Sequence, residues 1–496
     1  MNPLQIFNDL TRYQKMRTLL LVFMMITIVI FLYLRGVPVP LFTSVFLGLL
    51  TLWVVSFYFE KTYQIEDIPL LLLIAATFAF GRAVSIIPIV SFGNIPIPIT
   101  EIVLALSLGL MLLRGKSSWD VWTTRLPLDL KILLPGFLLL GTLYLLLGLK
   151  ENGTIAFRDI VFCHYMLFLF VTLKVFHNPQ KIKRAIAVFI PSAITLLAIG
   201  FIMYFITRSG QVSFIKFLFD TREFNWALYY GLTAIFGLSF FTLKNKREIK
   251  WGIALLIYFG LLFILLTRVR AGWFGLIPAI ILLLILLKKE VKALFVIIPL
   301  IAVTVLFLDL CLHKNIFFMI KREIKGITPG KRDTRQKKNV AFRLIIWKQT
   351  LEKTWQKPLL GWGYGSFPTY YIHKKPLHRP SGEIGPGSKI TPAHNHVLAV
   401  TYKMGFLGLA IFIFMNLRIF LMGVMYFKKC KSLFNQRLLA ASLGGLVYWH
   451  GMALFFDVLE SPPTGIFLWI LLGLIISIVH VDKHLNQTSR NQDGLV

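Results

Sequence analysis

Apolar segments of about 18 or more residues recur along almost the whole chain, and this recurrence limits the possible folds more than any other feature. A segment of this length can cross the hydrocarbon core of a bilayer as an α-helix, which satisfies its own backbone polar groups. Of the 496 residues, 57% are hydrophobic and only 15% are charged, a balance that a water-soluble domain cannot bury. The sequence therefore predicts an all-α, polytopic transmembrane helical bundle of about 12–14 spans.

The apolar pattern divides the chain into four regions. We expect an N-terminal transmembrane bundle over 1–311, a long basic loop over 312–395, further transmembrane helices over 396–482, and a short tail over 483–496. No small-residue cleavage site follows the first apolar segment, so we interpret it as a retained span. A single helix over 251–287 would be about 55 Å long, which exceeds a hydrocarbon core of about 30 Å, so we expect two spans and a tight turn there.

Positive charge predicts the orientation of the spans. The chain holds 53 Lys and Arg against 22 Asp and Glu, a formal net charge of +31. With both termini in the cytoplasm, Lys and Arg concentrate in the short cytoplasmic loops, as the positive-inside rule requires. The basic loop 312–395 then lies outside, where its charge indicates an anionic partner such as a phosphate, a lipid head group or an acidic glycan. No nucleic-acid-binding module is recognisable, so nucleic acid is not an expected partner.

Within this loop, helical spacing predicts a helix over 343–355 that ends before Pro358. Its shared face would consist of Ile345, Ile346, Thr350 and Trp355. A glycine-rich turn follows at 361–365 and carries Trp362 and Tyr364, whose rings suit the apolar faces of sugars. The alternative is that these glycines and aromatic residues only pack the loop against the membrane interface.

Several short segments resemble the O-antigen ligase and O-antigen polymerase superfamily. The segments are RLIIW at 343–347, PLLGWGYGSF at 358–367, HNHVL at 394–398 and GFLG at 405–408. VRAGW at 269–273 is similar to the start of a helix in that family. Lys403 departs from the pattern, because members usually carry an acidic residue at this position.

The resemblance implies a GT-C-like membrane glycosyltransferase in the bacterial cytoplasmic membrane, surrounded by membrane lipids. It also implies a glycan donor on undecaprenyl diphosphate and a hydroxyl acceptor on a lipid or a glycan, with transfer outside the membrane. No cofactor and no metal are implied. Ligase and polymerase both fit, and the sugar and the linkage are left open.

Three arginines and one histidine are the candidate site residues. Guanidinium groups keep their charge and bind phosphate oxygens through paired hydrogen bonds, so Arg270, Arg343 and Arg158 are candidates for the diphosphate. His394 would accept or polarise the proton of the acceptor hydroxyl, because imidazole titrates near working pH. Supporting roles are expected for Asn395, Arg268, Trp362, Tyr364, His450 and Asp457.

Alternative interpretations stand beside each assignment. Arg158 also fits an interfacial anchor, and His450 and Asp457, seven residues apart, also fit a structural pair on one helix face. A lipid-glycan flippase or transporter would need charged residues across both leaflets, whereas the charges singled out cluster on one side. A non-enzymatic scaffold would not need the histidine motif. A metal site would have to use His373, His378, His394 and His396, which lack a ligand spacing.

Overall fold

The computed structural model describes residues 67–80, 90–92, 95–113, 126–206, 224–241, 247–267, 269–287, 297–304, 306–307, 335–372, 375–377, 388–391, 393–456 and 458–493. The helices are α1 (Ile68–Phe80), α2 (Ile99–Leu113), α3 (Leu128–Asn152), α4 (Leu167–Val175), α5 (Pro179–Ile206), α6 (Phe224–Phe240), α7 (Arg247–Thr267), α8 (Arg270–Leu287), α9 (Arg335–Thr354), α10 (His396–Phe427), α11 (Leu433–Ala453) and α12 (Pro462–Asp493). Two 3-10 helices, Gly153–Phe162 and His164–Met166, connect α3 to α4.

Five helical segments of the described chain are long and apolar enough to cross a membrane: Leu128–Val175, Lys250–Thr267, Arg270–Leu287, His396–Phe427 and Pro462–His484. The prediction of an all-α polytopic membrane protein is therefore confirmed. The interpretation of 251–287 as two spans is also confirmed, because α7 ends at Thr267 and α8 begins at Arg270.

The centre of the bundle is built by α6, α8, α11 and α12, with large aromatic side chains filling the space between them. Trp449 and Trp469 are fully buried there. Small residues let α8 and α11 approach closely, since a Cβ added to Gly451 would lie 2.6 Å from the Cα of Gly275. Such contacts between small residues are typical of membrane helix pairs, where dispersion rather than hydrophobicity holds helices together.

Helix α10 is sharply bent at Gly405. Gly405 has φ 68° and ψ −174°, outside the helical region. The rings of His396 and Phe412 are 6.1 Å apart, whereas sixteen residues of straight helix would separate them by about 24 Å. The segment before Gly405 therefore folds back along the segment after it.

The basic loop contains α9 and a small antiparallel sheet in which β3 (Thr369–Ile372) lies between β4 (Lys375–Leu377) and β5 (Ser388–Thr391). A second, two-stranded sheet pairs β1 (Val90–Phe92) with β2 (Ile95–Ile97) before α2. These strands are short and leave the helical class unchanged.

The predicted face of α9 is partly wrong. Ile346 and Thr350 are buried together, but Ile345 is 50% exposed and Trp355 is 67% exposed, so the four residues do not share one face. Thr354 completes the buried face instead. The long apolar side chains of this helix therefore do not all point toward the bundle.

Candidate active site

The turn between α11 and α12, residues 454–461, gathers the candidate site residues at one end of the bundle. The guanidinium carbon of Arg343 lies 4.8 Å from the ring centre of Phe456. Arg158 forms an ion pair with Glu460 at 3.6 Å, and its side chain remains 46% exposed. Arg158 and Arg343 come from regions far apart in sequence, yet both reach this one turn.

Arg270 is brought to the same end by the packing of α8 against α11. Phe274, one turn further along α8, packs against Phe455 of the turn, with ring centres 5.4 Å apart. The start of α8 is fixed by Trp273, whose indole N–H donates to the carbonyl of Ile264 at 3.1 Å. Arg268 and Asp457, two predicted supporting residues, lie outside the described residues.

His394 stands immediately before α10 and is connected to the same turn through Trp347. The indole N–H of Trp347 donates to the carbonyl of Ala393 at 3.0 Å, and its ring lies 6.4 Å from that of Phe455. His394 has φ 50°, in the left-handed region that few non-glycine residues adopt. This backbone conformation turns the chain sharply just before the helix, so it sets the direction in which the imidazole leaves the backbone.

Asn395 has a local structural role in this arrangement. Its side-chain oxygen accepts hydrogen bonds from the backbone N–H groups of Val397 at 2.9 Å and Leu398 at 3.1 Å, and so caps the N-terminus of α10. The cap fixes the start of the helix next to His394. The supporting role expected of Asn395 would therefore be exerted through this helix cap.

His450 lies inside the bundle and forms a polar chain with two residues of α10. Its Nδ1 is 3.4 Å from Nε2 of His396, and its Nε2 is 3.3 Å from the side-chain oxygen of Asn416. The bend in α10 makes both contacts possible, because it brings His396 at the start of the helix close to the middle of the same helix, where Asn416 lies. His396 is buried. The sequence indicated it only as a possible metal ligand, because local spacing does not show which residues of another helix it contacts.

The glycine-rich turn 361–365 fills the break in α10. Its Trp362 and Gly363 N–H groups donate to the carbonyls of Tyr402 at 2.8 Å and Lys403 at 2.9 Å, which the bend removes from the helical pattern. Gly361 has φ 69° and lies so close to α10 that an added Cβ would come within 2.5 Å of the Gly405 nitrogen. The two glycine motifs thus form one structural unit.

This unit decides the positions of the two predicted aromatic site residues. Tyr364 is fully buried and stacks on Tyr144 with ring centres 5.9 Å apart, so its face is closed to a sugar. Trp362 is half-buried, stacks on Tyr402, and donates its indole N–H to the carbonyl of Lys353 at 2.8 Å. Tyr364 therefore packs in the core of the protein and not at the membrane interface, while Trp362 retains a partly accessible ring.

A buried ion pair joins the α10 break to the 3-10 helix that carries Arg158. The ammonium group of Lys403 pairs with the carboxylate of Asp159, and these two side chains are only 3% and 1% exposed. Asp159 also accepts a hydrogen bond from the N–H of Gly365 at 2.6 Å. The ring centre of Phe367 lies 4.9 Å from the ammonium nitrogen of Lys403 and 5.4 Å from the guanidinium carbon of Arg158. The Lys403–Asp159 pair therefore supports the aromatic ring that contacts Arg158. Nothing in the local sequence around Asp159 signals this partner.

Comparison with known proteins agrees with the motifs. The O-antigen ligase family model matches residues 253–413. This segment contains Arg270, Arg343 and His394, whereas Arg158 and the α11–α12 turn lie outside it. The chain is also 22% identical over 307 residues to a putative polysaccharide ligase of Rickettsia felis, an alignment that covers 61% of this chain and 69% of the relative.

These two findings confirm the resemblance to the O-antigen ligase superfamily and support a membrane ligase or polymerase. The geometry adds what the comparisons leave open, namely which residues come together. Among the residues that the structure describes, no three His, Cys, Asp or Glu side chains lie close enough to hold a metal ion. His373 and His378, two of the four histidines considered for a metal site, lie outside the described ranges.

Proposed function

We propose that the protein is a membrane glycosyltransferase that moves a glycan from an undecaprenyl-diphosphate donor to a hydroxyl acceptor on a lipid or glycan. The observation that carries the proposal is the convergence on the α11–α12 turn. Arg158 and Arg343 contact it directly, and the starts of α8 and α10 adjoin it through Phe274 and Trp347. This convergence supports the proposal, because Arg158, Arg270, Arg343 and His394 would then supply cations for a diphosphate and an imidazole for a hydroxyl at one end of the bundle.

The reaction needs two kinds of assistance from these residues. As the bond between the anomeric carbon and the diphosphate oxygen breaks, the electron pair leaves with the diphosphate, whose charge the arginines stabilise. The acceptor oxygen forms the new bond to the anomeric carbon, and its proton passes to His394. The donor is already activated, so we propose that the reaction proceeds without metal or cofactor.

The surrounding assignments complete the proposal. The site lies on the periplasmic side of the inner membrane, and both termini lie in the cytoplasm. The transmembrane regions 1–311 and 396–482 enclose the basic loop 312–395, while 483–496 form the cytoplasmic tail. The structure adds one detail, because α12 continues through this last boundary to Asp493.

Transfer by purified protein tests the proposal. The protein is reconstituted into vesicles with lipid-linked glycan donor and a defined acceptor, in the presence of a chelator, and both glycan transfer and donor translocation are measured. We expect transfer to continue with chelator. Translocation of donor without any transfer would contradict the proposal and favour a flippase, and loss of transfer with chelator would contradict the metal-free mechanism.

A further inference from the structure

Helix α9 presents apolar side chains on a second face, away from its buried one. Its buried face, formed by Ile346, Thr350 and Thr354, packs toward the bundle. On the second face, Leu344 is 55% exposed, Leu351 is 43% exposed and Trp355 is 67% exposed. These three positions are spaced by seven and four residues, so they form one stripe along the helix.

The stripe continues beyond the end of α9. Leu359 and Leu360, which follow the helix, are 70% and 59% exposed. Trp355 packs against Phe406 of α10 with ring centres 5.5 Å apart, and Phe406 is itself 39% exposed. We use the term apolar stripe for Leu344, Leu351, Trp355, Leu359, Leu360 and Phe406.

The apolar stripe joins the face of α10 that must contact lipid. The helix is a candidate membrane span, and Ile413, Phe414 and Leu417 on it are each about half exposed. Phe406 lies about two turns before Ile413 and Phe414 and about three turns before Leu417, on the same side of the helix. Exposed apolar side chains on a spanning helix face acyl chains, so the stripe extends a lipid-contacting surface onto the loop helix.

The charges beside the stripe fit the same environment. Lys348 lies on the same face as the stripe, between Leu344 and Leu351, and forms an exposed ion pair with Glu352 at 3.8 Å. A lysine at such a position can extend its ammonium group to the head groups while its stem stays among apolar side chains. Lys357 follows the helix and lies 4.5 Å from the ring centre of Trp362. A basic amphipathic helix with an exposed Trp is typical of segments that lie in the membrane interface, where lysines reach anionic head groups.

We propose that α9 lies in the membrane interface, with the apolar stripe inserted at the boundary between head groups and acyl chains. The loop helix is therefore a peripheral membrane contact, although the sequence places it within a polar loop. This placement does not depend on the enzymatic reaction. If the proposed function also holds, it keeps Arg343, the residue before Leu344, at the depth of a lipid-linked phosphate.

Site-directed spin labelling tests the placement. Cys163, Cys311 and Cys430 are replaced by alanine, and single cysteines are then introduced at Leu351, Trp355 and Leu359 of the full-length protein. Glu352→Cys is the matched control, because Glu352 is exposed and directly follows Leu351, so its side chain points about 100° away from that of Leu351 around the helix. The labelled proteins are reconstituted into phosphatidylethanolamine and phosphatidylglycerol vesicles, and collision with oxygen and with a water-soluble nickel chelate is measured.

We expect the three stripe positions to be accessible to oxygen and protected from nickel, and Glu352→Cys to be more accessible to nickel. Nickel access at the stripe would show that it faces water, and protection from both reagents would show that protein covers it. Either result would overturn the proposal.

A second measurement keeps the native cysteines. Tryptophan fluorescence of wild type and of Trp355→Phe is compared in vesicles whose acyl chains carry bromine. The proposal predicts a smaller quenched fraction in Trp355→Phe, and equal quenching in the two proteins would refute it.

Discussion

At one end of the α11–α12 pair a buried carboxylate is surrounded by hydrogen-bond donors, whereas at the other end the charged groups are partly exposed. At one end, the buried carboxylate of Asp482 accepts hydrogen bonds from four groups in and around the connection between α10 and α11: Tyr426 OH, Lys431 N, Ser432 N and the side-chain amide of Asn435. At the other end, Arg158 and Arg343 contact aromatic rings and Glu460 around the α11–α12 turn, and Arg158 stays half exposed.

This difference distinguishes residues that stabilise the fold from residues that are positioned to bind a ligand. A buried carboxylate that accepts four hydrogen bonds stabilises a turn, so its removal should lower the free energy of unfolding. Cations placed on aromatic faces near the surface contribute little to stability, yet they are positioned to meet an anionic ligand. Substitutions at the Asp482 end should therefore reduce folding, and substitutions at the turn should reduce turnover.

The largest expected effect is that of Arg270→Ala. We expect transfer to fall by at least about 10³-fold through loss of leaving-group stabilisation, with Arg270→Lys recovering only part because an ammonium lacks the guanidinium fork. The matched control is Arg418→Ala, whose guanidinium pairs with Asp129 at 2.6 Å away from the turn. Initial rates per mole of folded protein check this. Near-normal transfer by Arg270→Ala would remove Arg270 from the site.

The buried Lys403–Asp159 pair tests the comparison further, because it lies near the site but should contribute to stability and not to binding of substrate. Lys403→Met leaves the Asp159 carboxylate buried without its cation, which should cost about 3–5 kcal/mol of stability. The double variant Lys403→Met with Asp159→Asn should recover much of this loss, since Asn still accepts from Gly365. Thermal unfolding in detergent measures both. A fully stable Lys403→Met protein would mean that the pair contributes nothing.

A smaller loss of stability is expected at the Asp482 end of the α11–α12 pair. Asp482→Ala leaves four hydrogen-bond donors without their acceptor, but water can reach some of them. We expect a loss of about 3 kcal/mol and a lower midpoint of thermal unfolding, with turnover per folded molecule unchanged. Asp482→Asn, which keeps one acceptor oxygen, should lose less. The contrast between the two ends would fail if Asp482→Ala reduced turnover while leaving the unfolding midpoint unchanged.

Sequence reasoning predicted those features that depend on local patterns. Span-length apolar segments predicted the helical bundle, and the excessive length of a single helix over 251–287 predicted the turn between α7 and α8, which the structure confirms. The position of Pro358 predicted that α9 ends before it, and α9 ends at Thr354. Each of these follows from the physical needs of a single segment in a membrane.

The features that were missed depend on contacts between distant segments. The bend at Gly405 places His396 beside His450, and no spacing rule relates those two residues. The Glu460 partner of Arg158 was likewise unpredictable. The shared face of α9 was assigned wrongly, because Ile346 and Thr350 are buried whereas Ile345 and Trp355 are exposed, and burial depends on which distant segments pack against the helix.

The most direct test of the proposed site is the turnover of His394→Asn. Asparagine tolerates the left-handed backbone at this position, so the substitution removes the imidazole without adding the strain that alanine would cause. The control is His177→Asn, whose Nδ1 lies 2.6 Å from the carbonyl of Lys174 between α4 and α5, away from the site. Transfer by purified protein and binding of lipid-linked donor are measured on the same samples.

We predict that His394→Asn keeps its unfolding midpoint and its affinity for donor but transfers glycan about 10²–10⁴-fold more slowly, the usual effect of losing a general base. His177→Asn should transfer at the wild-type rate. If His394→Asn transfers glycan as fast as wild type, His394 is not the base, and the claim that the α11–α12 turn assembles the catalytic group with its diphosphate-binding cations is contradicted.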